Sequence, residues 1–388
     1  MTSTYIYDAV RTPFARHGKA FADVRPDDLA AVVMKAAIQR TDLDPARVDD
    51  VIFGDANQAG EDNRNVARFG ALLAGFPTSV SGVTVNRLCG SAVESVIQGS
   101  RAIEAGDASI ILAGGVESMT RAPFIVEKSS RPFPLANQTI WNSSIGWRMV
   151  NPALREDWTI SNGQSAEKLA LMHDLSRAQQ DEFAARSHRL AAEAWAAGHY
   201  DGEIVQVPGH ELERDEGIRD DTTVETLSAL RPAFAKDGTV TAGNSSSLND
   251  GASAVLLGAE GVLDIEPLAR ITGRGVAGSD PDVFGIAPVE AANRALARAG
   301  RTWADVDIVE LNEAFASQSL ACIALWPELD PERVNIHGGA IAMGHPLGAS
   351  GGRIIGHAAH ELKRRGGGVA VVAICIGVGQ GLAVVLER

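Results

Sequence analysis

What this 388-residue sequence has little of narrows its chemistry first. Its three cysteines, Cys89, Cys322 and Cys375, are an odd number without metal-ligand spacing, so neither a disulfide framework nor a thiolate metal site is expected. Free thiols of this kind point to a cytoplasmic protein. Basic residues are in the minority, 35 Lys and Arg against 49 Asp and Glu, for a net charge of −14. Such a chain is not drawn to polyanions by its overall charge, which argues against nucleic acid as a partner but leaves room for a local basic groove. The longer apolar runs, such as VAVVAICIGV at 369–378, fall short of the roughly 18 residues of a membrane span. The opening MTSTYIYDAVRTPF has no basic region ahead of an apolar one, so it does not read as a secretory leader.

What is present suffices for a large core: the chain is 45% hydrophobic against 22% charged, and long enough for two or three domains. Helix-like and short apolar stretches alternate at both ends. The 28–40 segment has helical apolar spacing and precedes VIFGD at 51–55; the helix-like 89–106 precedes SIILAGG at 109–115. In the last third, 287–300, 307–313, 350–365 and 369–375 repeat that order, the pattern of an α/β protein with buried strands. Self-comparison supports a duplication. At an offset of 258, Ala46, Val48, Asp49 and Val51 fall on Ala304, Val306, Asp307 and Val309, and Asp55 on Glu313. At an offset of 260, Ala105-Gly106 falls on Arg365-Gly366 and Cys89 on Ala349. Residues 119–242 break the pattern and predict a functional lid or subdomain.

Cys89, in V-N-R-L-C-G-S-A, stands between a strand-like run and a helix. The unpaired N–H groups and positive dipole end there favour a thiolate nucleophile; a buried structural cysteine is the other reading. Residues 337–352 (HGGAIAMGHPLGASGG) carry too much glycine for a core helix, and His345, held between Gly344 and Pro346, is a candidate base. His337 is expected to be a structural turn residue. Cys375 ends an apolar strand, where active-site groups of α/β sheets gather. The following G-V-G-Q-G opens no helix, which removes a nucleotide-binding reading. Asn312-Glu313 marks another strand end, whereas Cys322 in ACIALW reads as packing.

V-N-R-L-C-G-S-A, N-E-A-F-A, G-G-A-I-A-M-G-H-P-L-G-A-S-G and C-I-G-V-G-Q-G, in this order, resemble the thiolases, acyl-CoA:acetyl-CoA C-acyltransferases. The resemblance runs the full chain. It implies a five-layered α-β-α-β-α fold of two βαβαβαββ halves, 1–118 with 243–267 and 268–388, with an inserted loop domain, 119–242, that binds coenzyme A. It makes Cys89 the acylated nucleophile, His345 its base and Cys375 a second acid/base. Asn312 would hold a water that forms one oxyanion hole with His345, and the N–H groups of Cys89 and Gly377 would form the other. Ser246 is similar to a pantetheine-contacting serine, Arg219 to an arginine that meets the nucleotide, and Phe315 would line the acyl side. Coenzyme A is then a substrate, no metal or permanent cofactor is required, and a homotetramer is expected.

Within the family, Ser161-Asn162 stand before G-Q-S-A-E-K where acetoacetyl-CoA thiolases typically have His-Met, which points away from acetoacetyl specificity. The run S-I-G-W-R-M-V-N-P-A-L at 144–154 is similar to thiolases of aromatic degradation that cleave 3-oxoadipyl-CoA. A terminal carboxylate needs a cation, and 119–158 offers Arg121, Lys128, Arg131, Arg148 and Arg155. Degradative cleavage of 3-ketoacyl-CoA is the leading reading; biosynthetic acetoacetyl-CoA formation and a catalytically silent CoA-binding scaffold are the alternatives. The scaffold would have lost one of Cys89, His345 or Cys375.

Overall fold

The computed structural model describes residues 2–388. The strands are Thr4–Arg11 (β1), Ala15–Arg16 (β2), Asp50–Gly54 (β3), Ser81–Val85 (β4), Ile110–Ser118 (β5), Phe124–Val126 (β6), Ile140–Asn142 (β7), Asn249–Ala259 (β8), Ala269–Gly278 (β9), Ile308–Leu311 (β10), Val369–Ile376 (β11) and Gln380–Glu387 (β12). The helices are Pro26–Arg40 (α1), Val66–Leu73 (α2), Ser91–Ala105 (α3), Asn162–Met172 (α4), Arg177–Ala196 (α5), Val224–Ser228 (α6), Ala287–Ala299 (α7), Ala316–Ala324 (α8), Ala340–Met343 (α9) and Leu347–Arg365 (α10).

The two-residue period of the apolar strands builds the layers. In β5, Ile111 and Ala113 face a central core while Ile110 and Leu112 face α1 and α2. In β11, Ala370, Val372 and Ile374 face that same central core, whereas Val371 and Ala373 turn to α7 and the buried Trp303–Trp326 pair. Apolar faces of α3 (Val93, Val96, Ile97) and α10 (Ile354, Ile355, Ala358) fill the middle. The result is helix, sheet, paired helices, sheet, helix.

Each half orders its strands alike. The first runs β4-β3-β5-β8-β1 and the second β10-β11-β12-β9. The second half's missing outer strand survives as one parallel bridge between Val309 and Val334, so both halves follow the order 3-2-4-5-1. β1 and β9 join the halves through three antiparallel pairs, Thr4–Ile271, Tyr5–Arg270 and Ile6–Ala269. The internal offsets hold structurally: the 3₁₀ turns Pro45–Arg47 and Trp303–Asp305 correspond at 258. The left-handed glycine caps Gly106 and Gly366 correspond at 260.

Between β5 and β8 the chain leaves the sheet for the β6–β7 hairpin, then α4, α5 and α6. Serine caps with reciprocal glutamine bonds start α4 at Ser161 and α5 at Ser176. No described helix is long and apolar enough to cross a membrane.

The glycine-rich segment 337–352 corrects the reading that its composition excludes a core helix. Ala340–Met343 forms a helical turn, and Leu347 begins the buried helix α10. The glycines serve close approach: a Cβ on Gly348 would lie 2.1 Å from the Val116 carbonyl, and one on Gly115 would lie 2.0 Å from that of Gly348. Side-chain-free backbones let α10 start hard against β5.

Candidate active site

Cys89, Asn312, His345 and Cys375 are all buried, three of them at strand ends or just after them and His345 in the turn between α9 and α10. Cys89 sits in the 3₁₀ turn Leu88–Gly90 between β4 and α3. The Gly377 N–H is directed at its sulfur, and Cys375 lies within electrostatic reach of it. Strain brackets this meeting point. Leu88 has φ +48° and the β-branched Val378 φ +63°, a left-handed conformation costing on the order of 1–3 kcal/mol at each.

Burial drives the Cys89 thiol up to about 11, outweighing the Gly377 N–H that lowers it. This corrects the expectation that the helix start makes Cys89 a resting thiolate: it rests as the thiol. Cys375 is likewise pushed well above the usual thiol range, first by burial and then by Cys89 and Cys322.

His345 is fixed from three sides. Its backbone N–H donates to Asn249 Oδ1 at 3.0 Å, and Nδ1 lies 2.6 Å from Ser350 Oγ. The Ser350 hydroxyl spends its proton on the Pro346 carbonyl at 2.9 Å, so it can only accept, and Nδ1 must carry the hydrogen. Nε2 keeps its lone pair and faces Asn312 Nδ2 at 3.4 Å. Burial, then Arg353, drives His345 down to about 3, so the ring is neutral at physiological pH. Gly344, at φ +105°, makes the turn possible: a Cβ there would lie 2.3 Å from the Asn249 amide. Asn312 Oδ1 is buried without a partner among the described residues, an unmet acceptor.

Ser246 donates from both N–H (3.0 Å) and Oγ (3.2 Å) to the Ala314 carbonyl, and Ser245 bridges Phe315. Phe315 packs in one cluster with Phe284, Ala314 and Cys375, and edge-on against Phe234 at 6.0 Å. Arg219 is not brought to this cluster. It stays exposed, its N–H donating to His188, which burial and then Arg219 itself depress to about 4. Cys322 is fully buried in the outer core, donating to the Gly285 carbonyl.

Comparison with known proteins decides the lineage. The family description "Thiolase, N-terminal domain" matches residues 4–261 and "Thiolase, C-terminal domain" matches 265–388. The chain belongs to the thiolase family. It is 46% identical to the 3-oxoadipyl-CoA/3-oxo-5,6-dehydrosuberyl-CoA thiolase of Escherichia coli strain K12, covering all of both chains. It is 47% identical to the beta-ketoadipyl-CoA thiolase of Pseudomonas putida, again over both full lengths. Human mitochondrial 3-ketoacyl-CoA thiolase in complex with CoA shares its fold at TM-score 0.93 and 39% identity, over 100% of this chain and 98% of that one.

Sequence reasoning missed three residues of this thiolase's site. Ser350 lies in a stretch read as glycine-rich turn, and Asn249 is 96 positions from His345. Glu117, at the end of β5, accepts the Ala56 and Gly348 N–H groups at 3.1 and 2.9 Å and is driven up to about 7 by burial. Its signal was available: an acid closing a buried strand. Ser350→Ala removes the acceptor that fixes the His345 tautomer. We expect kcat to fall about tenfold, the worth of one hydrogen bond, with KM and Tm nearly unchanged in steady-state assays and thermal melts.

Proposed function

We propose that this thiolase cleaves 3-oxoacyl-CoA with CoA, and that its substrate carries a terminal carboxylate, as in 3-oxoadipyl-CoA. The catalytic reading rests on a neutral imidazole with its Nε2 lone pair held toward Asn312 in a buried site that also holds two thiols.

The proton bookkeeping closes with the residues present. His345 Nε2 takes the Cys89 proton as the sulfur attacks the 3-keto carbon, and the oxygen's developing charge is met by the N–H groups of Cys89 and Gly377. The Cα–Cβ bond breaks. The enolate oxygen is met by His345 and a water on Asn312, and Cys375 delivers its proton to the enolate carbon, leaving acetyl-CoA. CoA thiol then attacks the acyl-enzyme while Cys375 takes its proton. The released Cys89 sulfur recovers its own from His345. Ser246 contacts the pantetheine, Phe315 lines the acyl side and Arg219, within 119–242, meets the nucleotide, so that segment contributes to coenzyme A binding. The site belongs to a cytoplasmic homotetramer in this reading. The exposed Phe124, Phe133, Leu135 and Ile140 support an assembly through the hairpin, and light scattering giving one chain rather than four would count against it.

The substrate class rests on Arg148. Of the five candidate cations, Arg121 is bound to Glu61 at 2.5 Å, Arg155 pairs with Asp157, and Lys128 and Arg131 are exposed. Arg148 is half-buried, with only the Ser143 carbonyl and Asn57 Oδ1 near it, each at 3.5 Å. Asn57 in turn donates to Glu117 at 3.1 Å, and Glu117 acts electrostatically on Cys89. Thiolysis can be followed as bleaching of the Mg²⁺-enolate absorbance. We expect the wild type to cleave 3-oxoadipyl-CoA, and Arg148→Ala to lower kcat/KM for it by about 10–100-fold while changing acetoacetyl-CoA cleavage less than about threefold. Equal losses on both substrates would retire the carboxylate reading, and no cleavage of either would retire the thiolase reading.

A further inference from the structure

Away from the thiols, His199, His337 and Glu361 offer three ligand atoms that all lie within 4.8 Å of one another. They come from three parts of the chain: the turn after α5, the loop before α9, and the last turns of α10. The two imidazoles stack with centroids 4.1 Å apart and planes 21° apart. His337 and Glu361 are buried, while His199 is half-buried and opens the group to solvent.

The geometry points to a divalent zinc-type ion site formed by His199, His337 and Glu361, distinct from the catalytic centre. Two imidazole nitrogens and one carboxylate oxygen suit zinc and its neighbours rather than magnesium or calcium, and three ligands leave a fourth tetrahedral position for water. Bonds of about 2.0–2.1 Å need ligand atoms about 3.3 Å apart with lone pairs that converge, so binding requires the half-buried His199 ring to swing out of its stack on His337.

Behind the ligands stands the support that metal-binding histidines ordinarily have. His337 Nδ1 lies 2.9 Å from His357 Nε2, and His357 Nδ1 lies 3.0 Å from Glu203 Oε2. Glu203 is anchored on the buried Arg11 at 2.7 Å. With Nδ1 turned to His357, Nε2 of His337 is the nitrogen left for an ion. One feature opposes the ion: Glu361 already accepts from Arg364 at 2.5 and 2.7 Å and from Arg365 at 2.6 Å. Both arginines are substantially exposed and can swing into water, but their charge weakens the site.

The bound ion would tie the turn after α5 to α10, raising the melting temperature by mass action. Purified full-length protein is dialysed free of metal and titrated with Co²⁺ and with Zn²⁺. We expect one equivalent with a visible cobalt spectrum of nitrogen and oxygen ligation, and a Tm that rises with Zn²⁺. His199→Gln, at a half-buried position that tolerates it, should weaken binding by more than about tenfold and abolish the Tm rise, as should Glu361→Gln. Arg364→Gln should tighten binding by removing an adjacent cation. Binding unchanged in His199→Gln and Glu361→Gln, or a spectrum showing only thiolate-to-cobalt charge transfer, overturns the assignment.

Discussion

Cys89→Ala will form no acyl adduct and will lose on the order of 10⁴-fold or more in turnover, because the covalent intermediate has no other sulfur to form on. Intact mass after incubation with acetyl-CoA should show one added acetyl group on the wild type, mapped to the peptide containing Cys89, and none on the variant. Cys322→Ala is the control. Its thiol is fully buried against the Gly285 carbonyl, so truncation leaves a small cavity costing about 1 kcal/mol and keeps the adduct. Adduct formation by Cys89→Ala at the wild-type level would sink the assignment. Because Cys89 rests as a thiol near 11, alkylation in the absence of substrate should be slow for an active-site cysteine.

Cys375→Ser should separate the two half-reactions. Burial and the neighbouring thiols keep Cys375 protonated, which suits a group whose first task in cleavage is to give a proton to carbon. A serine hydroxyl fits the same space, but its pKa lies far above the ~8.5 of a free thiol, and it neither gives nor takes that proton at a useful rate. We expect carbon–carbon cleavage to fall on the order of 10²–10³-fold while acetyl transfer from acetyl-CoA to Cys89 falls by no more than about tenfold, because there Cys375 protonates a departing thiolate, which leaves without help far more readily than carbon does. Rapid-quench measurement of each half-reaction reads the split. Equal losses in both would mean that Cys375 shapes the pocket rather than moving the proton.

Much of this site is legible in one sequence because its groups occupy strand ends, which short apolar runs mark clearly. Cys89 after β4, Asn312 after β10 and Cys375 closing β11 could each be placed by eye. The supports could not. Asn249 reaches His345 only because the 119–242 insertion returns the chain to β8, and no local pattern announces that contact. Ser350 was hidden by glycine composition. A run that looks too rich in glycine for a buried helix is here the condition for one, since α10 packs on bare backbone at Gly115. The ionisation of Cys89 also ran opposite to expectation: a helix start adds a favourable dipole, but enclosure on all sides costs the thiolate more.

The two halves share a strand order and the same glycine caps at the ends of their central helices, yet those helices begin differently. Counting back from Gly106 and Gly366, α10 starts about one turn earlier than α3. At the place where the second half continues its helix through Ala349, the first half has a 3₁₀ turn presenting Cys89. The two halves of a near-symmetric scaffold thus differ at this point by a single helical turn. The first half presents a sulfur there from a 3₁₀ turn, while the second half continues its helix and carries His345, Asn312 and Cys375. The proposed reaction centre therefore draws its nucleophile from one half and its base, water-holding amide and second acid from the other, so neither half carries it alone.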